Sequence, residues 1–339
     1  MNKKLLLAAW GCLASLLLSA NSLAENKSTS NISVFEQPKP HVLLRYPDVH
    51  AKSQALINRD LIYQGSNGPV MTGNVTLYAI YWSPAKLQDG TAASMPAKYQ
   101  QFHSQFLTDM SNSNGLSSIV SQYYQVVKGT TTFITGKLVF GGAYVDTSNY
   151  PTTGCPESML SPTNCVEDSD LQAELKKVIA TQKWPVNNST MFLLYTAKGE
   201  DLCDGTGSCT SGGPSPFCAY HNFIVPAKAT SAIIYSALPY TGTRGCGIGI
   251  YPQQYPDAEA VANASTHEIY ESMTDPLVGA SPAWNSADGS EIGDLCNGRA
   301  ISKNFTWANG KANHQWNGHF YALQPEYDNH LHACADTGS

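Results

Sequence analysis

Charged side chains are scarce in this sequence. They make up 14% of the 339 residues, against about 25% in an average globular protein, and the formal net charge is −6. A nucleic-acid-binding surface needs a basic excess, so we expect no nucleic-acid partner. Aromatic residues are plentiful, with 18 tyrosines and 6 tryptophans, which argues against a disordered chain. The remaining polar content is Ser, Thr, Asn, Gln and Gly, a composition typical of exported proteins.

Beyond its N-terminus, the sequence has no apolar run of the roughly 20 residues that a bilayer-spanning helix needs. The N-terminal run over 5–18 is itself too short, and two lysines precede it. Ser22 and Ala24 supply the small residues of a cleavage site. We therefore predict a signal peptide over 1–24 and a secreted protein, extracellular or periplasmic, that keeps no membrane attachment after cleavage.

Three short motifs are missing: the CxxC of zinc knuckles, the GxSxG of serine hydrolases, and a phosphate-binding loop. Nine cysteines are present, and eight of them follow the signal peptide. An even number in an exported chain indicates disulfides, although eight cysteines allow 105 connectivities. Pairing nearest neighbours predicts the bonds Cys155–Cys165, Cys203–Cys209, Cys218–Cys246 and Cys296–Cys334.

The periodic patterns indicate one α/β domain over 71–339, with a mixed sheet, packed helices and a disulfide-stabilised loop at 198–218. Residues 25–70 are polar and lack a sustained period, so we interpret them as an exposed N-terminal extension, with a propeptide as one reading. No repeat or linker divides the rest. Strands are predicted at 74–82, 131–140, 190–196 and 232–238. Helices are predicted after Pro96, near 115–127, and at a capping box formed by Ser169 and Gln172.

The most informative segment lies between Asp257, which can cap a helix, and Pro276, which ends one. At 100° per residue, His267 and Glu271 lie within about 40° of each other. They stand opposite a stripe of residues that predicts the buried face: Ala258, Ala262, Ser265, Ile269 and Met273. We expect the helix to rest on the core and to present an imidazole and a carboxylate to one point.

The sequence HEIYE on this helix resembles the HExxH signature of zinc peptidases, with Glu in place of the second His. In that signature, two ligands one turn apart hold zinc and the intervening Glu activates water. We therefore predict His267 and Glu271 as zinc ligands and Glu268 as the general base. Glu291 is the predicted third ligand, because its spacing resembles that of the downstream Glu in thermolysin-like enzymes. Asp294 is predicted to accept the free ring N–H of His267.

Other interpretations of these residues stay open. The acidic groups can form a solvated surface, or they can hold Ca²⁺, which prefers oxygen ligands. His221 is a candidate further ligand or proton donor, with a structural role as the alternative. The C-terminus is rich in histidine and aromatic residues, which suggests a surface for sugars or peptides, or else a polar strand ladder: His314, His319, His330, His332, Trp307, Trp316 and Tyr321.

Five blocks that occur in order along the chain carry a family resemblance. They are NVTLYAIYW at 74–82, CAYH at 218–221, HEIYESMTDP at 267–276, AW…EIGDLCNG at 283–298 and YALQPEYDN at 321–329. Over roughly 71–339 the chain resembles the bacterial branch of the EXORDIUM/phosphate-induced protein family. The resemblance implies an exported or cell-wall protein. It also implies that this scaffold exists without HExxE, since plant members lack that motif.

Taken together, these patterns predict a secreted, monomeric, zinc-dependent peptidase with a zincin-like active-site helix, acting on extracellular peptides or proteins. The alternative is a non-catalytic protein of the cell wall, associated with polysaccharide, on the same scaffold.

Overall fold

The computed structural model describes residues 39–45, 60–65, 68–113, 116–156, 158, 162–226, 231–240, 245–298, 305–307 and 310–338. Within these ranges the α-helices are Ala97–Ser111 (α1), Asp168–Gln182 (α2) and Pro256–Thr274 (α3), and the 3-10 helices are Leu116–Gln122 and Asp294–Cys296. The strands are His41–Leu44 (β1), Ile62–Tyr63 (β2), Val75–Trp82 (β3), Tyr124–Val127 (β4), Thr130–Phe133 (β5), Leu138–Asp146 (β6), Cys165–Glu167 (β7), Thr190–Thr196 (β8), Asp201–Cys203 (β9), Phe217–Ile224 (β10), Ile233–Leu238 (β11), Trp284–Asn285 (β12), Phe305–Trp307 (β13), Gly310–Ala312 (β14), His314–Trp316 (β15), His319–Tyr321 (β16), Glu326–Asp328 (β17) and Ala333–Ala335 (β18). The predicted signal peptide lies outside the described residues, and none of the described helices has the length and apolar character needed to cross a membrane.

A six-stranded mixed sheet forms the centre of the molecule, in the order β1-β10-β11-β8-β3-β6. Strands β11, β8, β3 and β6 are parallel to one another, and β10 and β1 extend the sheet in antiparallel pairings. The apolar runs of β3 and β8 are buried along almost their whole length, as expected for strands covered on both faces. Residues 37–339 form one compact unit, which confirms the predicted α/β class with a single mixed sheet.

Helices cover both faces of this sheet. On one face, the buried carboxylate of Asp168 at the start of α2 accepts hydrogen bonds from Tyr220 and Tyr235, whose hydroxyl oxygens lie 2.9 and 2.6 Å away. Side chains alternate along a strand, so His221, the residue after Tyr220, points to the opposite face. Helix α3 packs there against β10 and β11.

Helix α3 is more buried than its sequence suggests. Every residue from Ala258 to Thr274 is buried, because the helix is enclosed by the sheet, α1, the 3-10 helix Leu116–Gln122 and β1. It ends at Thr274 as predicted. It begins at Pro256, so Asp257 lies in the first turn and is not the cap.

Three predicted elements differ in detail from those observed. The helix predicted near 115–127 is the 3-10 helix Leu116–Gln122 followed by β4, which pairs with β5 in a hairpin. The strand predicted at 131–140 is divided between β5 and β6 by a turn at Gly136, whose φ is +68°. The predicted helix near 169 is present as α2, but without the capping box, because the amide of Gln172 donates to Asp168 inside the helix.

The domain begins earlier than residue 71. Strand β1 is an edge strand of the central sheet, and β2 pairs with β12. Both segments insert one leucine into the core, since Leu43 and Leu61 are each 2% exposed. Parts of the 25–70 segment therefore belong to the folded domain, and its strands are too short to give a visible sequence period.

The four predicted disulfide pairs are the ones that the structure joins. The bonds Cys155–Cys165 and Cys203–Cys209 lie together in a small buried cluster, next to the pairing of β7 with β9. The segment 198–218 is thus part strand and part disulfide-linked loop. The bond Cys296–Cys334 joins the 3-10 helix Asp294–Cys296 to the C-terminal strand β18.

Candidate metal centre

A cluster of imidazole and carboxylate side chains lies between α3 and β10. The cluster draws on four parts of the chain: α3, β10, β1 and the segment that leads into the 3-10 helix Asp294–Cys296. Its members are His41, His221, His267, Glu268, Glu271, Glu291 and Asp294. Five of these are at most 1% exposed, whereas the side chains of His41 and Asp294 keep 22% and 20% exposure. The cluster therefore has one side that faces solvent.

The predicted pair on the helix is in place. His267 Nε2 lies 2.9 Å from Glu271 Oε1, as the spacing of one helical turn requires. Asp294 Oδ1 lies 3.8 Å from the same nitrogen, and the Asp294 backbone N–H donates to Glu271 Oε1 at 3.1 Å. Ligand atoms of these three residues all lie within 4.8 Å of one another. They form one of the sets that can hold a metal ion.

The sequence predicted that Asp294 accepts the other ring N–H of His267, but Asp294 does not contact that nitrogen. The side-chain amide of Gln324 lies on that side of the ring, with its Nε2 2.9 Å from His267 Nδ1, and this Nε2 donates to the Gly293 carbonyl at 3.1 Å. Asp294 instead faces Nε2, the nitrogen that Glu271 contacts. A glutamine in the segment 321–329 gives no sequence signal of this role, because only the fold brings it to α3.

Glu291 lies in the cluster but not in the group that His267 forms. Its Oε2 is 3.1 Å from His41 Nδ1 and 3.6 Å from His221 Nε2. It shares a second candidate metal-holding set with His41 and Glu271. The structure therefore brings Asp294 into the His267–Glu271 group and places Glu291 against His41 and His221.

Glu268, the predicted general base, contacts His221. His221 Nδ1 is 3.1 Å from Glu268 Oε2 and 3.5 Å from Glu271 Oε2. These three residues make the third candidate set. Glu271 belongs to all three sets and is the common point of the cluster.

Sequence reasoning missed His41. Its Nε2 is 2.6 Å from Asp294 Oδ2, and its ring lies 5.7 Å from that of His221, the residue opposite it in the β1–β10 pairing. A lone histidine in a segment without periodicity carries no recognisable signal. Glu326, a further buried acid beside the cluster, was missed for the same reason.

Several ligand-type atoms at the centre are buried without a well-directed hydrogen bond. They are His221 Nε2, His267 Nε2, Glu268 Oε1, Glu271 Oε2 and both side-chain oxygens of Glu291. Each such atom costs about 1–3 kcal/mol when nothing satisfies it. Among the described residues, the ion pairs of these carboxylates are all with histidines. A divalent cation fits this donor set, because it would satisfy nitrogen and oxygen lone pairs together.

The pKa values divide the carboxyl groups into two kinds. Burial, together with the charge of Glu271, raises the pKa values of Glu268 and Glu291 well above the usual range. Burial also acts to raise the pKa of Glu271, but His267 and His221 outweigh it and hold that pKa well below its usual range. Burial lowers the pKa of His221, which favours its neutral form. Glu271 is thus the anionic group of the cluster, and the imidazoles of His267 and His221 interact with it.

The residues of the predicted C-terminal surface for sugars or peptides are partly buried and partly exposed. His314, Trp316 and Tyr321 are 4%, 7% and 2% exposed. His319 is partly exposed, but its ring contacts the buried Asp109 at 2.8 Å. His330 and His332 are exposed, and the side chain of Trp307 lies outside the described residues. The buried members contribute to the core, and a role of the exposed histidines in binding sugars or peptides stays a prediction.

No family model, no curated protein and no solved structure matches the chain. The resemblance to the EXORDIUM family therefore stays a prediction from the five sequence blocks, and the function is argued from the site alone.

Proposed function

We propose that this protein is a secreted, zinc-dependent hydrolase of peptide bonds, and that it belongs to the EXORDIUM family as a branch that has a metal site. One observation carries the proposal: imidazole and carboxylate side chains converge around Glu271 on the HExxE helix, and several of their buried atoms lack a well-directed hydrogen bond.

The donor types favour zinc over calcium. Calcium sites use oxygen ligands almost throughout, whereas three imidazoles face this centre. Zinc accepts histidine nitrogen and carboxylate oxygen, and a catalytic site keeps one position open. We assign His267 and Glu271 as two ligands, and Asp294 as the third because its carboxylate lies nearest. Glu291, the third ligand suggested by spacing, is the alternative.

When bound, zinc acts as a Lewis acid and lowers the pKa of water. The residues of this chain then have separate tasks. Glu268, in the carboxylate form that a bound cation would favour, takes the proton from the attacking water. His221, 3.1 Å away, fixes the direction of that carboxylate. Gln324 holds the His267 ring from its other nitrogen. Solvent and substrate reach the site from the side of His41 and Asp294, which are the two partly exposed members of the cluster.

Metal content and turnover of the full mature chain test this proposal. Zinc, calcium and other metals are measured by elemental analysis after dialysis, and hydrolysis is followed on a mixture of unfolded proteins by mass spectrometry. His267→Ala should lose both metal and turnover. Glu268→Gln should keep the metal and lose about 10²–10⁴-fold in rate, because a base and not a ligand is removed.

Glu259→Gln is the matched control. Glu259 is a buried acid of the same helix whose carboxylate accepts from the backbone of Tyr255 and Gln253, two turns before the centre. This variant should keep metal and rate. A folded wild-type chain that stays metal-free in excess zinc, or holds calcium only, would contradict the zinc hydrolase, and the non-catalytic wall-associated protein would replace it.

A further inference from the structure

Strand β1 lies across the open side of the candidate metal centre. We propose that the edge of β10 at this place is a binding groove for an extended peptide, and that residues 41–44 fill it as a substrate-like segment of the chain itself. The binding part of this inference stands on the fold alone, and only the cleavage of a bound peptide rests on the proposed function.

The pairing of β1 is of the kind that any extended peptide can make. It adds four residues antiparallel to the edge of β10, from His41 opposite His221 to Leu44 opposite Phe217. Strand addition of this type draws its affinity from main-chain hydrogen bonds and its specificity from alternate side chains. The groove is therefore suited to peptide backbone in general.

The strand contacts three of the site carboxylates. His41 lies 2.6 Å from Asp294 and 3.1 Å from Glu291. Strand β1 packs against α3, and the main chain of Leu43 lies near the carboxylate of Glu268, so the proposed general base faces the strand. An extended peptide in the place of β1 would present its peptide bonds to the same carboxylate.

Two positions of β1 define which peptides fit. His41 inserts an imidazole between two carboxylates, in a cluster whose described ion pairs contain no lysine or arginine. Leu43 is 2% exposed and packs into the core, whereas Val42, on the alternate face, is only half-buried. The groove thus favours a peptide with an imidazole or basic side chain two positions before a large apolar one, and it disfavours acids at both.

The position of β1 in the fold is compatible with exchange. It is a four-residue edge strand with an irregular pairing between Leu43 and Leu44. The five most buried members of the cluster come from elements other than β1. The side-chain amide of Asn297 donates to the Leu44 carbonyl at 3.0 Å. Removing β1 would expose the cluster and leave the central parallel strands paired.

A competition experiment in the full mature chain tests the groove. A recognition sequence for a site-specific protease is inserted between residues 50 and 51, the chain is cut, and a fluorescent peptide of residues 37–45 (QPKPHVLLR) is added. We expect the peptide to bind the cut protein, as measured by anisotropy, and unlabelled peptide to displace it. Leu43→Asp in the peptide should weaken binding about 10- to 100-fold, the value of one buried leucine side chain. Val42→Thr is the matched control and should change binding less than about threefold.

A second variant avoids the cut. Leu43→Asp in the uncut chain should weaken the pairing of β1 with β10. The variant chain should therefore bind the wild-type peptide, and the uncut wild-type chain should bind the same peptide at least about tenfold more weakly. Circular dichroism and thermal unfolding check that the variant folds. If neither the cut protein nor a folded Leu43→Asp chain binds the peptide, the inference is wrong.

The outcomes separate this inference from the proposed function. Peptide binding without metal or hydrolysis would support the groove and contradict the hydrolase. Bound metal and hydrolysis without peptide exchange would support the hydrolase and contradict the groove. His41→Ala distinguishes a substrate-like His41 from a permanent metal ligand: the first predicts unchanged zinc content and increased peptide binding, whereas loss of zinc would overturn the inference.

Discussion

Gly293 lies against the imidazole of His267. Its backbone is helical, with φ −78°, but a Cβ atom at this position would overlap His267 Nδ1. Gly293→Ala should therefore displace the ring, destabilise the fold by about 1–3 kcal/mol through overpacking, and reduce metal affinity at least about tenfold. Denaturant unfolding and zinc titration measure the two effects.

Gly289 provides the comparison for that variant. It has φ +84° and open space around its Cβ position, so Gly289→Ala should cost about 1–2 kcal/mol of backbone strain and leave zinc affinity unchanged. Equal losses of affinity in the two variants would show that the effect at Gly293 is not steric contact with the ring.

Glu200 provides a pH test away from the centre. Burial, reinforced by Asp201 and Asp89, raises its pKa from 4.5 to about 8, and only one of its oxygens has a partner, the amide of Gln88 at 2.7 Å. The folded form binds the proton more tightly than the unfolded form. The stabilising contribution is therefore present below pH 4.5 and is lost as the pH rises to about 8.

Glu200→Gln should remove this loss. The free energy of unfolding of the variant should equal that of the wild type near pH 4. At pH 8.5 it should be higher by about 1 kcal/mol or more, since each pKa unit corresponds to about 1.4 kcal/mol. Urea unfolding at the two pH values measures the difference. A constant difference at both values would contradict the assigned pKa.

At the scale of elements, α1 is joined to the C-terminal hairpin of β15 and β16 through one buried carboxylate. Asp109 accepts from Tyr321 at 2.6 Å, from Asn317 at 2.9 Å and from Gln105 at 2.8 Å, and it contacts His319 at 2.8 Å. Hydrogen bonds to a charged group are worth about 1.5–3 kcal/mol each. Together with the ring contacts of Phe106 with Trp316 and Tyr321, this residue holds the hairpin against α1.

Asp109→Asn should destabilise the protein by about 1–3 kcal/mol, because an amide directs an N–H group at donors. Hydrogen exchange should increase over β15 and β16 more than over β3 and β8. Asp170→Asn, in the first turn of α2, should cost less than about 1 kcal/mol. Uniform exchange across all four strands would show that the effect is global and not specific to this junction.

The elements that sequence patterns predict well are those whose apolar residues are numerous and consecutive. Strands β3 and β8 and helices α1 and α3 agree with prediction within a few residues. Short elements such as β1 are not predicted, because four residues define no period. The sequence also does not predict that α3 is buried on all sides, since its polar side chains are enclosed by segments from elsewhere in the chain.

The same distinction holds for the site. The spacing of His267 and Glu271 is local, so the helix geometry predicts their contact. The positions of Asp294, Gln324 and His41 depend on pairings across more than twenty residues, and no local pattern encodes those. For this reason Asp294, predicted as the partner of the other ring nitrogen of His267, lies beside Nε2, and Glu291, the predicted third ligand, lies against His41 and His221.

At the scale of the whole molecule, the bond Cys296–Cys334 ties the C-terminus to the segment that carries Asp294. Closing a loop of this 38-residue separation contributes about 3–4 kcal/mol in the chain-entropy model. Replacing both cysteines by serine should remove that stability and also weaken zinc binding, because Asp294 and Glu291 lose their restraint. Thermal unfolding and zinc titration measure both.

The bond Cys203–Cys209, with a separation of 6 residues, is the control. Its removal should cost about 2 kcal/mol and leave zinc affinity unaltered, since the described cluster contains no residue from this loop. Loss of zinc from both double variants at equal stability would indicate that general loosening, and not the position of Asp294, governs the affinity.

The centre collects its side chains from positions 41, 221, 267–271, 291–294 and 324, so the interval between the first and the last spans most of the chain. Contacts between such distant positions form slowly, because the entropy cost of closing a long loop comes before any stabilising contact forms. A nascent chain that has already extended past the HExxE motif therefore still has no site. Zinc uptake during refolding should coincide with the slowest phase, and the metal would serve as a reporter that distinguishes finished molecules from those that have only collapsed.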